Sequence, residues 1–101
     1  MEDIQIVREF KSKVVKSFPD AEIYFYGSHF RRTHAEDSDY DLLVLLKEVT
    51  PAIRKRIYHI AWETGFKYDA VLAPVLSLKD IFYPSTASPF FNNVKRYGVA
   101  V

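Results

Sequence analysis

The chain has 101 residues, 49% of them hydrophobic and 27% charged, with a net charge of +1. A length and composition of this kind suit one small domain with one modest core, and a balance so near neutral gives no bulk attraction to nucleic acid or anionic lipid. Cysteine is absent, which excludes disulfides and thiolate metal sites and suits a reducing cytosol, and no apolar run approaches the length of a membrane span.

In chain order, Ile4, Val7, Phe10, Val14 and Phe18 recur at helical spacing with basic residues mostly between them. Pro19 ends that helix, because the residue before a proline disfavours the α region. The segment Ala21 to Tyr26 reads as a first strand closed by Gly27, and Asp39 to Leu46 as a second. The unbroken apolar run from Leu42 to Leu46 predicts burial on both faces and a central position in the sheet. Thr50 and Pro51 form an N-cap and N1 pair that opens a second helix through Ile53, Ile57, Ile60 and Ala61, with Gly65 as its expected end. Tyr68 to Ala73 reads as a third strand, followed by a short helical turn around Leu76 to Phe82. Ser88-Pro89 opens a last helix finishing with Lys95 and Arg96 before Gly98, the charge sense that the helix dipole favours. Alternating strands and helices predict an α/β (α+β) class, with a small mixed sheet of three to four strands and helices packed on it. No linker or repeat divides residues 1–101, so a single domain is expected.

Chemistry concentrates between Tyr26 and Leu46. Asp39 and Asp41 head the most apolar strand, although aspartate is depleted in strands and like charges on one face repel. A side-chain period of two places both on the same side, with Cα atoms roughly 7 Å apart. Their oxygens could converge on two cations about 3.5–4 Å apart, the spacing of two-metal phosphoryl-transfer sites. All-oxygen ligands suit Mg²⁺, and bound divalent ions would remove the like-charge penalty. Gly27-Ser28, where the first strand ends, offers a tight turn, a hydroxyl and a backbone N–H for an anion, and Arg31 can reach the same phosphates. Asp69, set in the expected third strand, is another acid against local propensity.

Gly27-Ser28, ten intervening residues and Asp39-Tyr40-Asp41 together resemble the signature of the minimal nucleotidyltransferases of the DNA polymerase β-like superfamily. The segments "SDYDLLVLL", "KYDAVLAP" and "SPFFNNVKRYGVAV" are similar to that family's acid-bearing strands and its tail, in the same order. The resemblance implies the polymerase β-like nucleotidyltransferase fold and transfer of a nucleoside monophosphate, AMP from ATP or another NTP, to an acceptor hydroxyl with release of pyrophosphate. It assigns two Mg²⁺ ions to Asp39 and Asp41, with Asp69 on the catalytic ion and helping to deprotonate the acceptor. Gly27, Ser28 and Arg31 would hold the phosphates. It also implies a cytoplasmic antitoxin whose partner is an all-helical toxin modified on tyrosine. Nucleic-acid binding and membrane attachment are not expected.

Two departures from the family pattern stand out: Arg32 where many members have glycine, and His29 where many have arginine. Two further readings stay open. One is the same chemistry on a small molecule such as an aminoglycoside, with a homo-oligomer supplying the missing wall; the other is a non-catalytic binding antitoxin. His34 reads as a solvated loop residue, and Arg54, Lys55 and Arg56 as a short basic cluster. Arg54 and His59 match an Arg-x4-His spacing, but five residues on a helix separate side chains by about 140°, so they do not share a face.

Overall fold

The computed structural model describes residues 2–26 and 39–101, with the side chains of residues 2, 3 and 39 left out. Helix α1 (Glu2–Ser17) buries Ile6, Val7, Phe10 and Val14 on one stripe and gives way at Phe18-Pro19, as its spacing predicts. Strands β1 (Glu22–Phe25) and β2 (Asp39–Leu46) pair antiparallel, with Phe25 opposite Leu42 and Glu22 opposite Leu45. Helix α2 (Pro51–Tyr68) then crosses back to β3 (Val71–Leu78), which runs parallel to β2. A one-turn helix α3 (Lys79–Phe82), helix α4 (Pro89–Tyr97) and the short strand β4 (Val99–Ala100) complete the described chain. The sheet order is β3-β2-β1-β4, a mixed four-stranded sheet in an α/β fold.

Strand β2 is interior, and its apolar run is covered on both faces. Leu42, Val44 and Leu46 join the core beneath α1 and α2, while Leu43 and Leu45 pack with Phe82 of α3 and Val94 of α4. All five are essentially inaccessible to solvent, each side chain contributing about 1.5–3 kcal/mol of burial. The expected caps form: the Thr50 hydroxyl accepts from the Ile53 N–H and the Ser88 hydroxyl from the Phe91 N–H, both at 3.1 Å.

Three expectations are corrected. Helix α2 passes through Gly65 and continues to Tyr68. Gly65 is a packing glycine here: a Cβ on it would lie 2.4 Å from the Ala70 carbonyl oxygen, so the helix can approach the start of β3 only without a side chain. The last turn is held by a contact no local pattern encodes, because Lys67 and the Tyr68 hydroxyl both reach Glu9 of α1. In consequence the third strand begins at Val71, three residues after the expected start at Tyr68, and Leu76 to Leu78 belong to it instead of to a helical turn. The expected helix-ending role of Gly98 holds, although its backbone is extended; a Cβ there would lie 2.5 Å from the Val94 carbonyl oxygen.

Candidate active site

The register gathers the acids at one end of the sheet. Because β1 runs antiparallel to β2, β1 leaves the sheet where β2 enters it, and the Tyr26 N–H donates to the Asp41 carbonyl at 3.0 Å. Gly27 follows in sequence and lies outside the described residues. Because β3 runs parallel to β2, Val71 pairs with Asp39 and Ala73 with Asp41. The residue two before Val71 is Asp69, which therefore lies at that same end.

Pleating sets the direction of Asp41. Tyr40 stacks on Phe25 with ring centroids 5.8 Å apart, against the core under α1 and α2. Asp41 consequently takes the opposite face, the one Leu43 and Leu45 share with α3 and α4. It is half-buried, where water access is restricted yet a ligand can still enter. Asp39 occupies the equivalent backbone position two residues earlier, and its side chain lies outside the described residues. Tyr26 continues this face from β1 and meets Phe90 of α4 edge-on at 5.3 Å, closing one flank with aromatic surface.

Asp69 differs from its expected place. It caps α2 in the left-handed region, with φ 54° and ψ 47°, and no other non-glycine residue described has a positive φ. Aspartate tolerates this region better than most side chains, but the conformation still costs energy and persists only where surrounding contacts impose it. Here they do: the Ala70 N–H donates to the Gly65 carbonyl at 2.8 Å, and the close helix–strand approach leaves no room to relax. The exposed Asp69 thus sits on a rigid turn at the mouth of β3 rather than within the strand. It lines a groove of about 460 Å³ together with Trp62, Phe66, Val71 and Pro74. Asp69 and Asp41 therefore approach one sheet end from different elements, a turn and a strand.

Gly27, Ser28 and Arg31, with His29, Arg32 and His34, lie outside the described residues. No group of three His, Asp or Glu side chains able to hold a metal occurs among the described residues. The two described acids contribute only carboxylate oxygen, the donor type that Mg²⁺ takes, so the chemistry of the set fits such an ion. Sequence reasoning missed the exposed ridge of Tyr58, Trp62 and Phe66 on α2 beside Asp69. Its signal was legible: these rings recur every four residues, flanking the buried stripe of Ile57, Ile60, Ala61 and Thr64.

The sequence profile of the nucleotidyltransferase domain family matches residues 6–96, nearly the whole fold just described. The chain belongs to this family. Among curated relatives, a Methanocaldococcus jannaschii protein named "Putative protein adenylyltransferase MJ0141" is 34% identical over 104 residues, covering 100% of both chains. The fold is similar to crystal structures of the toxin–antitoxin complex MntA–HpeT. A mutant of that complex with two Asp-to-Glu changes superposes with a TM-score of 0.61 at 17% identity, covering 99% of this chain and 72% of that one. A Tyr-to-Ala mutant of it gives 0.58 at 18% identity, covering 93% and 69%. As a nucleotidyltransferase, the chain acts on a nucleoside triphosphate. None of the described helices is long and apolar enough to cross a membrane.

Proposed function

We propose that this nucleotidyltransferase is a single minimal domain that moves AMP from ATP to a tyrosine hydroxyl of an all-helical partner toxin, acting as its antitoxin in the cytoplasm. The observation that carries the reading is that the backbone positions of Asp39, Asp41 and Asp69 lie at one end of the sheet, the end at which β1 also finishes. The relative named for protein adenylylation supports a protein acceptor. The toxin–antitoxin complexes that share the fold support a toxin as that protein.

Asp39 and Asp41 would hold two Mg²⁺ ions, with Asp69 a ligand of the catalytic one. Such ions, when bound, neutralise phosphate charge and polarise the α-phosphate for in-line attack. Ser28 and the Gly27 backbone would hold the terminal phosphates, with Arg31 adding a charge-assisted contact. Asp69, exposed on its rigid turn, would take the proton from the incoming hydroxyl. The acceptor oxygen bonds to the α-phosphorus as the bond to the β-phosphate bridge breaks, and pyrophosphate leaves with that electron pair. Half-burial of Asp41 beneath α3 and α4 limits water as a competing nucleophile.

The test is incubation of the chain with ATP labelled at the α-phosphate, Mg²⁺ and the product of the adjacent gene. The proposal expects label on a tyrosine of that product, none without Mg²⁺ and none with Asp39→Asn. Equal neutralisation of the toxin by wild type and Asp39→Asn, without label, would establish contact-only inhibition instead. Label on an aminoglycoside and not on protein would establish the small-molecule reading.

A further inference from the structure

Helix α2 carries two stripes. Ile57, Ile60, Ala61 and Thr64 face the core, while Tyr58, Trp62 and Phe66 stand in solvent. Trp62 is 63% exposed and Phe66 76%, yet their rings stack at 5.4 Å and an interplanar angle of 15°. His59 lies against Trp62 at 6.4 Å, and Arg54 donates to the Tyr58 hydroxyl at 3.3 Å, so the ridge is ordered along its length. At its foot, Val71 at the start of the outer strand β3 is 57% exposed and lines one groove with Tyr58, Trp62 and Phe66. Stacked aromatic rings left in water above a groove make an apolar patch of the sort that marks a docking site.

Three occupants compete, and the structure discriminates among them. An extended segment adding to the sheet is opposed by Pro74, midway along β3. Proline is tolerated in a strand only with its nitrogen on the unpaired side, so the outer edge of β3 lacks a donor at its centre. A second copy is opposed by charge: with Lys67 paired to Glu9, α2 still bears Arg54, Lys55 and Arg56 against Glu63 alone, so two such helices would repel. An acidic partner is favoured for the same reason. The first turn of α2 carries no acidic residue, and the basic cluster lies toward the helix N-terminus, where the dipole disfavours cations. That arrangement is relieved when acidic side chains approach Arg54 and Lys55. Rings every four residues match the ridge that one helix presents to another.

We propose that the Tyr58–Trp62–Phe66 ridge and the groove at its foot dock an acidic amphipathic helix of the partner protein and so deliver its acceptor hydroxyl to Asp69. This rests on the partner-protein reading above for the identity of the occupant. It extends that reading by setting the docking surface next to one of the three acids, since Asp69 lines the same groove as Trp62 and Phe66.

The test measures binding and transfer separately, with the purified chain and the purified product of the adjacent gene. Calorimetry follows binding of wild type, of Trp62→Glu with Phe66→Glu, of Arg54→Glu with Lys55→Glu, and of Asp41→Asn. Replacement of two central aromatic anchors is expected to weaken binding by about 100-fold or more. Reversal of the basic pair is expected to weaken it about tenfold and to flatten its salt dependence. Asp41→Asn binds as wild type and transfers no label. Binding that needs the ridge but yields no label supports the docking surface and overturns the transfer reading. Wild-type affinity in the ridge variant overturns the docking surface whatever happens to label. Failure of wild type to bind the adjacent product overturns the assigned occupant. A wild-type dimer that Trp62→Glu dissociates, seen by sedimentation, assigns the ridge to a second copy and overturns it also. The ridge and basic side chains altered are exposed and Asp41 is half-buried, and unchanged circular dichroism and melting establish that each variant folds.

Discussion

Replacing Gly65 by alanine tests the junction that positions Asp69. In an ordinary helix interior this change is favourable, by about 1 kcal/mol from propensity. Here the added Cβ would lie 2.4 Å from the Ala70 carbonyl oxygen and 3.5 Å from Leu72 Cδ1. The nearest atom is backbone, so relief requires moving Ala70 itself. That motion strains the 2.8 Å bond from the Ala70 N–H to the Gly65 carbonyl, the last bond joining α2 to β3. Overpacking of this kind costs about 1–3 kcal/mol, and a weakened hydrogen bond about 0.5–1.5 kcal/mol. Against the propensity gain, a net loss of about 1–3 kcal/mol is expected. For a domain of this size each kcal/mol lowers the melting temperature by about 4–8 °C. Because the displaced turn holds Asp69, transfer activity should fall by about tenfold or more even where the variant is fully folded. Thermal and urea unfolding read the first quantity and label transfer at low temperature reads the second. A Gly65→Ala protein as stable and as active as wild type would refute the reasoning.

Other perturbations follow from the same geometry. Asp69→Gly removes a side chain from a left-handed position, and is expected to leave stability unchanged or raise it by up to about 1 kcal/mol. It should nevertheless abolish transfer, whereas retained activity would make Asp69 a cap only. Thr64 is wholly buried, and its hydroxyl has no hydrogen-bond partner among the described residues. Thr64→Val should therefore stabilise by about 1 kcal/mol in urea unfolding. The Tyr68 hydroxyl, followed by the Lys67 ammonium, holds the Glu9 carboxyl below its ordinary range. A depressed folded-state value contributes stability above the unfolded-state value near 4.5, lost as pH falls through the folded-state value. Glu9→Gln should be less stable at neutral pH and lose less between neutral and acidic pH than wild type does.

Legibility in the sequence followed the range of the interactions involved. Strand β2 was readable to the residue, because Asp39-Tyr40-Asp41 and the Leu42–Leu46 run are local signals and burial on both faces leaves no periodicity to misread. The caps at Thr50 and Ser88 were readable for the same reason, since hydroxyl and amide lie three residues apart. The end of α2 was not. Gly65 looks like a stop signal, but it serves a packing contact with Ala70, and the last turn is secured by Glu9, a residue 58 positions from Lys67. Asp69 was singled out as a candidate site residue and set in a strand, because a lone acid before apolar residues does not reveal a left-handed turn. The exposed ridge was not singled out, because rings at helical spacing do not by themselves tell a core stripe from a surface one. Only the fold shows that α2 has one stripe more than the core can take.

The most direct test of the central claim is transfer of label from α-phosphate-labelled ATP to the adjacent gene's product by wild type, Asp41→Asn and Asp69→Asn. The account predicts Mg²⁺-dependent label on tyrosine with wild type and none with either variant, while both variants keep the wild-type fold and bind the acceptor normally. Undiminished labelling by Asp41→Asn and Asp69→Asn would contradict it.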